Sequence, residues 1–225
     1  EAAAVLERSL PLARDLVGLR RALRLPVVLN RFNDRSNGYV TPLPFRQEIE
    51  GIRLRGQALS PRTPSWIVSV LPHELTHAAH AQSGRGVGLG WAMRPFAPDL
   101  SRALNFGAPS GFSEGVAVYL ESSLHPGWGR LDYSLFTMQF RAKMLSDDPW
   151  SLTQLLEDPA YTRPLDRHYY GGYLFEYMAE QDRLGFFGRT RDAFYRVPVF
   201  GFGLPLWYGT GQPPHLLGRR LRRHY

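Results

Sequence analysis

Val70-Leu-Pro-His-Glu-Leu-Thr-His77 decides how the chain is read. It holds two histidines four residues apart, with a glutamate directly after the first. On a helix, residues four apart lie one above the other on the same face, with Cβ atoms about 5–6 Å apart. His73 and His77 can then each aim an imidazole nitrogen at one ion, at about 2.0–2.1 Å if that ion is zinc. Glu74 projects beside such an ion and not onto it, where a general base stands to take a proton from an activated water. With 7 histidines in 225 residues, chance produces this pattern about once in a hundred such sequences. The plain alternative is a surface helix that happens to carry these residues. Against it, Val68, Val70, Leu71, Leu75 and Ala78 make the helix apolar around the motif, as a buried helix is.

Two ligands leave a catalytic zinc short, because such sites use three protein ligands and a water. The chain has no cysteine, so the third ligand is His, Asp or Glu. His80 follows His77 by three residues but is rotated about 60° from His73 on a helix, and it reads as structural or exposed. The better candidate is Glu114 in Phe112-Ser-Glu-Gly-Val-Ala-Val-Tyr-Leu-Glu121. An acid in an apolar helix needs a partner for its charge, and a metal supplies one. The competing reading makes Glu114 a charge at the N-terminus of its own helix. Glu121, two turns on, reads equally as an acceptor that orients a histidine and as a surface carboxylate.

Working outward, Ala2 to Leu23 carries apolar residues at helical spacing, and Pro11 predicts an interruption. Leu25 to Asn30 reads as a buried strand, and Asn33-Asp-Arg-Ser-Asn-Gly38 as turn chemistry with Asn37-Gly38 its strongest element. Tyr39 to Leu43 and Glu48 to Arg55 read as two further strands, the second alternating as a half-exposed edge strand does. The metal helix is expected to end near Gln82, with a kink at Pro72, and Ser83 to Gly90 to be loop. Helices are predicted at Gly111–Ser123, 133–145, 151–156, 169–183 and 214–224. Strands first and helices afterwards argue an α+β fold: a small N-terminal sheet with an edge strand, and a mostly helical C-terminal half. The length fits a single domain over 1–225, with sheet and metal helix in about 1–82 and a helical part in about 110–225.

Hydrophobic residues make up 44% and charged residues 21% of the chain, which excludes a disordered protein. The formal net charge is +7, almost all of the basic side being arginine. Arginines are scattered except for Arg219, Arg220, Arg222 and Arg223, and no nucleic-acid module accompanies them. We therefore expect no nucleic-acid partner, and at most weak contact of the basic C-terminus with an anionic surface. No apolar run approaches the length of about 20 residues that spans a bilayer. Without cysteine the redox compartment stays open. The chain starts at Glu1 without a methionine, which suggests a processed protein or an excised domain.

In these motifs the sequence resembles the gluzincins, metallopeptidases with HExxH on one helix and a glutamate ligand on the next. It is similar above all to the bacterial peptidase MA-like domains of exported proteins, which often precede a β-propeller. The matching pieces are Asn33 to Gly38, Val70 to His77, Phe112 to Glu121 and Tyr169-Tyr-Gly-Gly-Tyr173. The resemblance implies a zincin-like fold, one Zn2+ ion on His73, His77 and Glu114, and a peptide or protein substrate. It implies that the strand near 48–55 is the edge on which an extended peptide pairs. It also implies a flanking domain such as a β-propeller and export to the periplasm, cell surface or medium. In the aminopeptidases of this group a tyrosine of a Tyr-x-x-Gly segment donates to the oxyanion. Tyr169 with Gly172 fits that spacing, Tyr170 is the fallback, and His168 is a third candidate. Three departures stand out: Gly111 where the family often has an aromatic, Pro72 in the metal helix, and no Gly-Ala-Met-Glu-Asn segment to hold a free amino terminus.

The expected function is zinc-dependent peptide-bond hydrolysis with Glu74 as general base. The alternative is a catalytically idle, zinc-stabilised interaction module of the cell envelope, whose signature would be loss of the base.

Overall fold

The computed structural model describes residues 2–30, 32, 37–50, 65–83, 88–103, 107–124, 126–157, 167–196 and 201–225. Helix α1 (Ala2–Val17) leads into strands β1 (Val27–Asn30), β2 (Asn37–Pro42) and β3 (Phe45–Glu50). Helices α2 (Trp66–Ser83), α3 (Leu89–Met93), α4 (Pro98–Ala103) and α5 (Ser110–Leu124) follow. The rest is helical: α6 (Ser134–Leu145), α7 (Leu152–Leu156), α8 (Gly172–Glu180), α9 (Phe186–Arg196), α10 (Gly203–Thr210) and α11 (Pro214–His224), with 3-10 turns at Arg130–Asp132 and Arg167–Gly171. The fold is α+β with a small N-terminal sheet, as the order of elements in the sequence implies.

The sheet has the order β1-β3-β2, with β1 parallel and β2 antiparallel to β3. This corrects the expectation for the edge. Among the described residues, 45–50 form the central strand with β1 and β2 at the two edges, and the expected continuation over 51–55 lies outside the described residues. Asn37-Gly38, read as a turn, instead opens β2. The reason is packing. A Cβ on Gly38 would lie 2.5 Å from Val70 Cγ2 and 2.9 Å from Glu74 Cγ, so the missing side chain is what lets the strand lie on α2.

Helix α1 runs unbroken through Pro11. The carbonyl that loses its donor is that of Glu7, an exposed residue where water can substitute. The face Ser9, Ala13, Val17 of α1 is buried, and α1 packs on α2. Helix α2 is the centre of the molecule: from Ser69 to Ala81 every residue is buried. It continues through Pro72, and Thr76 Oγ1 donates to the Pro72 carbonyl at 2.8 Å. The sheet covers it through Ile49, Val70 and Leu71, and Gln47 Nε2 donates to Leu71 O at 3.4 Å. Below lies the main core, where Phe112 stacks on Phe187 at 4.9 Å and Phe140 on Tyr173 at 4.1 Å. Buried Arg191 of α9 donates to Val17 O at 2.6 Å and to Ser83 Oγ, capping the C-terminal ends of α1 and α2 with positive charge.

Helix α7 begins on a capping box of Ser151 and Gln154. The expected helix over 169–183 is instead a 3-10 turn followed by α8 from Gly172. Gly171 lies so close to α5 that a Cβ there would overlap Gly111 O, and a Cβ on Gly115 would stand 2.6 Å from Gly171 C. Backbone therefore rests on backbone between α5 and the 3-10 turn, and a Cβ on Gly111 would stand 2.5 Å from Leu155 O and 2.7 Å from Leu156 Cα of α7, which explains why position 111 carries no aromatic side chain. Among the described residues, no helix is long and apolar enough to cross a membrane.

Candidate metal centre

Helices α2 and α5 pack against each other and bring the two motifs into one place. His73 Nε2 and Glu114 Oε2 are 3.0 Å apart, His77 Nε2 and Glu114 Oε2 3.2 Å, and the two histidine Nε2 atoms 3.2 Å. His73, His77 and Glu114 could hold a metal ion, each offering one ligand atom. Tetrahedral ligation at about 2.0–2.1 Å sets ligand atoms about 3.3–3.4 Å apart, so the spacing fits a small divalent ion with little movement.

The tautomer fits as well. His73 Nδ1 lies 3.0 Å from Glu121 Oε2, and Glu121 is 5% exposed. Nδ1–H donating to that carboxylate leaves the Nε2 lone pair directed at Glu114 and His77. Two lone pairs and a carboxylate oxygen then converge with no proton between them, an arrangement that a cation stabilises. Burial alone would lower the His73 pKa, but hydrogen bonds to Glu114 and Glu121 outweigh it and hold the value up at about 9. Glu114 is opposed by burial, yet the charge of His77 and the hydrogen bonds from both imidazoles keep its carboxyl well below the usual range.

Glu74 is 6% exposed, and burial pushes its carboxyl pKa up, against the pull of His73 and His77. It lines a cleft of about 280 Å³ together with His73, His77, Glu114, Tyr169, Ser110 and Ser113, and with Gly38, Tyr39 and Val40 of β2. Among the described residues, the edge strand that lines the cleft is β2.

Tyr169 faces this cleft, its ring 6.2 Å from that of His73. Tyr170 does not. It is 2% exposed, packed on Phe136, Phe140 and Trp150, and its hydroxyl donates to Gln139 at 2.8 Å. Tyr170 is therefore a core residue, and the fallback assignment is withdrawn. His168 falls on a position whose side chain lies outside the described residues. His80 is buried edge-on against Phe187 at 5.0 Å, and burial with Arg191 nearby holds its pKa well below the usual histidine value, as a structural residue.

Arg130 is a site residue that the motifs did not announce. Its Nη1 donates to Glu121 Oε2 at 2.8 Å and lies 3.2 Å from His73 Nδ1, and its guanidinium carbon stands 4.4 Å from the Tyr169 ring centre. It sits on a turn nine residues beyond Glu121 with no pattern to mark it; an arginine directly after Gly129 is the only trace. The chain matches no protein-family model, no curated protein and no solved structure.

Proposed function

We propose that the chain is a zinc metallopeptidase of gluzincin type, with a zincin-like arrangement of edge strand, HExxH helix and glutamate helix. The observation that carries this reading is the convergence of His73, His77 and Glu114 atoms within 3.0–3.2 Å, beside buried Glu74, in a cleft walled by β2. His73, His77 and Glu114 would hold the ion. Zinc, when bound, supplies Lewis acidity toward a carbonyl oxygen and makes water acidic enough to react near neutrality. Glu74 takes the proton at its carboxylate and passes it to the leaving amine; its raised affinity for protons in a buried site suits that shuttle. β2 orients an extended peptide through main-chain hydrogen bonds, since among the described residues only β3 pairs with it. Tyr169, which lines the cleft with its ring 6.2 Å from that of His73, would donate from its phenol to the oxygen that gains charge. An exported location and a flanking domain belong to the same proposal.

Two substitutions test it. Glu74→Gln should keep about one zinc per chain and abolish cleavage of a mixed peptide library, and full activity would sink the assignment. Glu114→Ala should lose zinc by elemental mass spectrometry, and unchanged metal content would remove Glu114 from the site. A wild type that holds zinc and cleaves nothing would favour the idle interaction module.

A further inference from the structure

The geometry points to Arg130 as a positioning residue of the metal centre: its guanidinium holds Glu121 against His73 and, with its face, holds the ring of Tyr169. One side chain thereby sets both the ligand geometry and a lining residue of the cleft. Among the described residues, the Glu121 carboxylate bonds His73 and Arg130 alone: Oε2 takes His73 Nδ1 at 3.0 Å and Arg130 Nη1 at 2.8 Å, and Oε1 takes the Arg130 backbone N–H at 3.3 Å. His73 therefore owes its ring orientation to a carboxylate whose other contacts all come from one residue. That residue is itself held rigidly. A Cβ on Gly129 would overlap Ser122 of α5, Ser122 Oγ accepts the Leu131 N–H at 3.2 Å, and Asp132 accepts the Gly127 N–H at 2.7 Å. The turn is stitched to α5 one residue beyond Glu121, so Arg130 has little room to drift.

The same guanidinium stacks 4.4 Å from the Tyr169 ring centre. A planar fork can meet a carboxylate with its edge and an aromatic ring with its face at once, while an ammonium offers a single point. Arginine is thus the one cation that can serve both contacts.

The zinc half of this inference needs only the metal site; the Tyr169 half rests on the peptidase reading. The experiment measures zinc dissociation constants by competition with a chromogenic chelator. It uses wild type, Arg130→Met, Arg130→Lys, Glu121→Gln and the Arg130→Met/Glu121→Gln pair, with near-ultraviolet circular dichroism to confirm the fold. Arg130→Met and Glu121→Gln should each weaken zinc binding about 10-fold or more, the range for residues that orient a ligand. The pair should be no weaker than the worse single variant, because both act through one path. Folded Arg130→Met that binds zinc as wild type does, or losses that multiply in the pair, would overturn the inference. Should Arg130→Met not fold, Arg130→Gln replaces it with the same expectation. Arg130→Lys should bind zinc within about 3-fold of wild type while kcat falls up to about 100-fold with KM unchanged; an unchanged kcat removes the Tyr169 half. Wild type that binds zinc but cuts no peptide would end the peptidase reading and leave the zinc comparison standing. Peptide cleavage with no zinc effect in Arg130→Met would do the reverse.

Discussion

Gly38→Ala should cost catalysis without costing metal. The new Cβ would stand 2.5 Å from Val70 Cγ2, 2.9 Å from Glu74 Cγ and 3.1 Å from Glu74 Oε1. Carbon atoms in contact keep about 3.5–4.0 Å, so strand and helix must part by about 1 Å or Glu74 must swing away. Val70 cannot yield easily: it is 5% exposed and β-branched, with one preferred rotamer in a helix. Overpacking of this kind costs about 1–3 kcal/mol, and the reduced freedom of the unfolded chain returns about 0.4–1 kcal/mol. The net loss of about 0–2.6 kcal/mol lowers Tm by up to about 10 °C at this chain length. The effect on rate is larger, since displacing a catalytic group by about 1 Å can cost about 100-fold. None of the three nearest atoms belongs to His73, His77 or Glu114, so zinc content should stay at wild-type level. The assay is kcat on a cleaved peptide beside zinc content and Tm. Gly107→Ala serves as control, because its Cβ would meet nothing within 4 Å. A folded, zinc-loaded Gly38→Ala protein with wild-type kcat would refute the claim that this glycine seats the strand against the base.

Three further outcomes follow from the same coordinates. Gly171→Ala places a Cβ onto Gly111 O and should lower Tm by several degrees or block folding, as overpacking of about 1–3 kcal/mol or more does; an unchanged melting curve would mean α5 and the 3-10 turn are not in backbone contact. Tyr169→Phe should lower kcat by about 10²–10³ with stability intact, while Tyr170→Phe, losing its bond to Gln139, should lose about 0.5–1.5 kcal/mol of stability and no activity; equal kcat in the two variants would return the assignment of the hydroxyl to doubt. His80 is held neutral, its pKa depressed first by burial and then by Arg191, so its contribution to stability is present above the ordinary histidine pKa of about 6.5 and is lost as pH falls below it toward the folded value. His80→Leu should accordingly show a shallower fall in Tm than wild type between about pH 6.5 and 4.5, and parallel curves would contradict a neutral buried His80.

What the sequence made legible is what obeys short-range rules. The i, i+4 histidines, the intervening glutamate and the acid in an apolar helix are local patterns, and they named the three residues that converge. The helices expected at 151–156 and 214–224 are found as α7 and α11. The misreadings at Gly38 and Tyr170 sit where a distant segment decided, while that at Pro11 is local. Asn37-Gly38 has the composition of a turn, but α2 made it a strand, because Val70 and Glu74 leave space only for a glycine. Pro11 has the composition of a helix break, but the carbonyl it frees belongs to exposed Glu7. Tyr169 and Tyr170 are neighbours with equal claims in sequence; the 3-10 turn, seated on α5 through Gly171, sends one to the cleft and the other to Trp150 and Gln139. Arg130 was invisible because nothing in a turn announces which helix it will be stitched to.

The charges buried around the cleft give the strongest physical reason for the assignment. Glu74, Glu114 and Glu121 face one guanidinium, Arg130, so with neutral imidazoles the group carries an excess of two negative charges. Buried charge without a partner is expensive, and a site either takes up protons or takes up a counter-ion. The first solution is reflected in the direction of the shifts: hydrogen bonds to Glu114 and Glu121 hold the His73 pKa up at about 9 against its burial, and burial raises that of Glu74. A divalent cation among the His73, His77 and Glu114 atoms is the second solution, and it frees both groups. On the proposed reading, His73 would then be a neutral ligand with Nδ1–H on Glu121, and Glu74 a carboxylate without a proton. The residues that look over-acidic for a buried helix pair are therefore balanced once the ion is counted, and binding it should release protons to solvent near neutral pH.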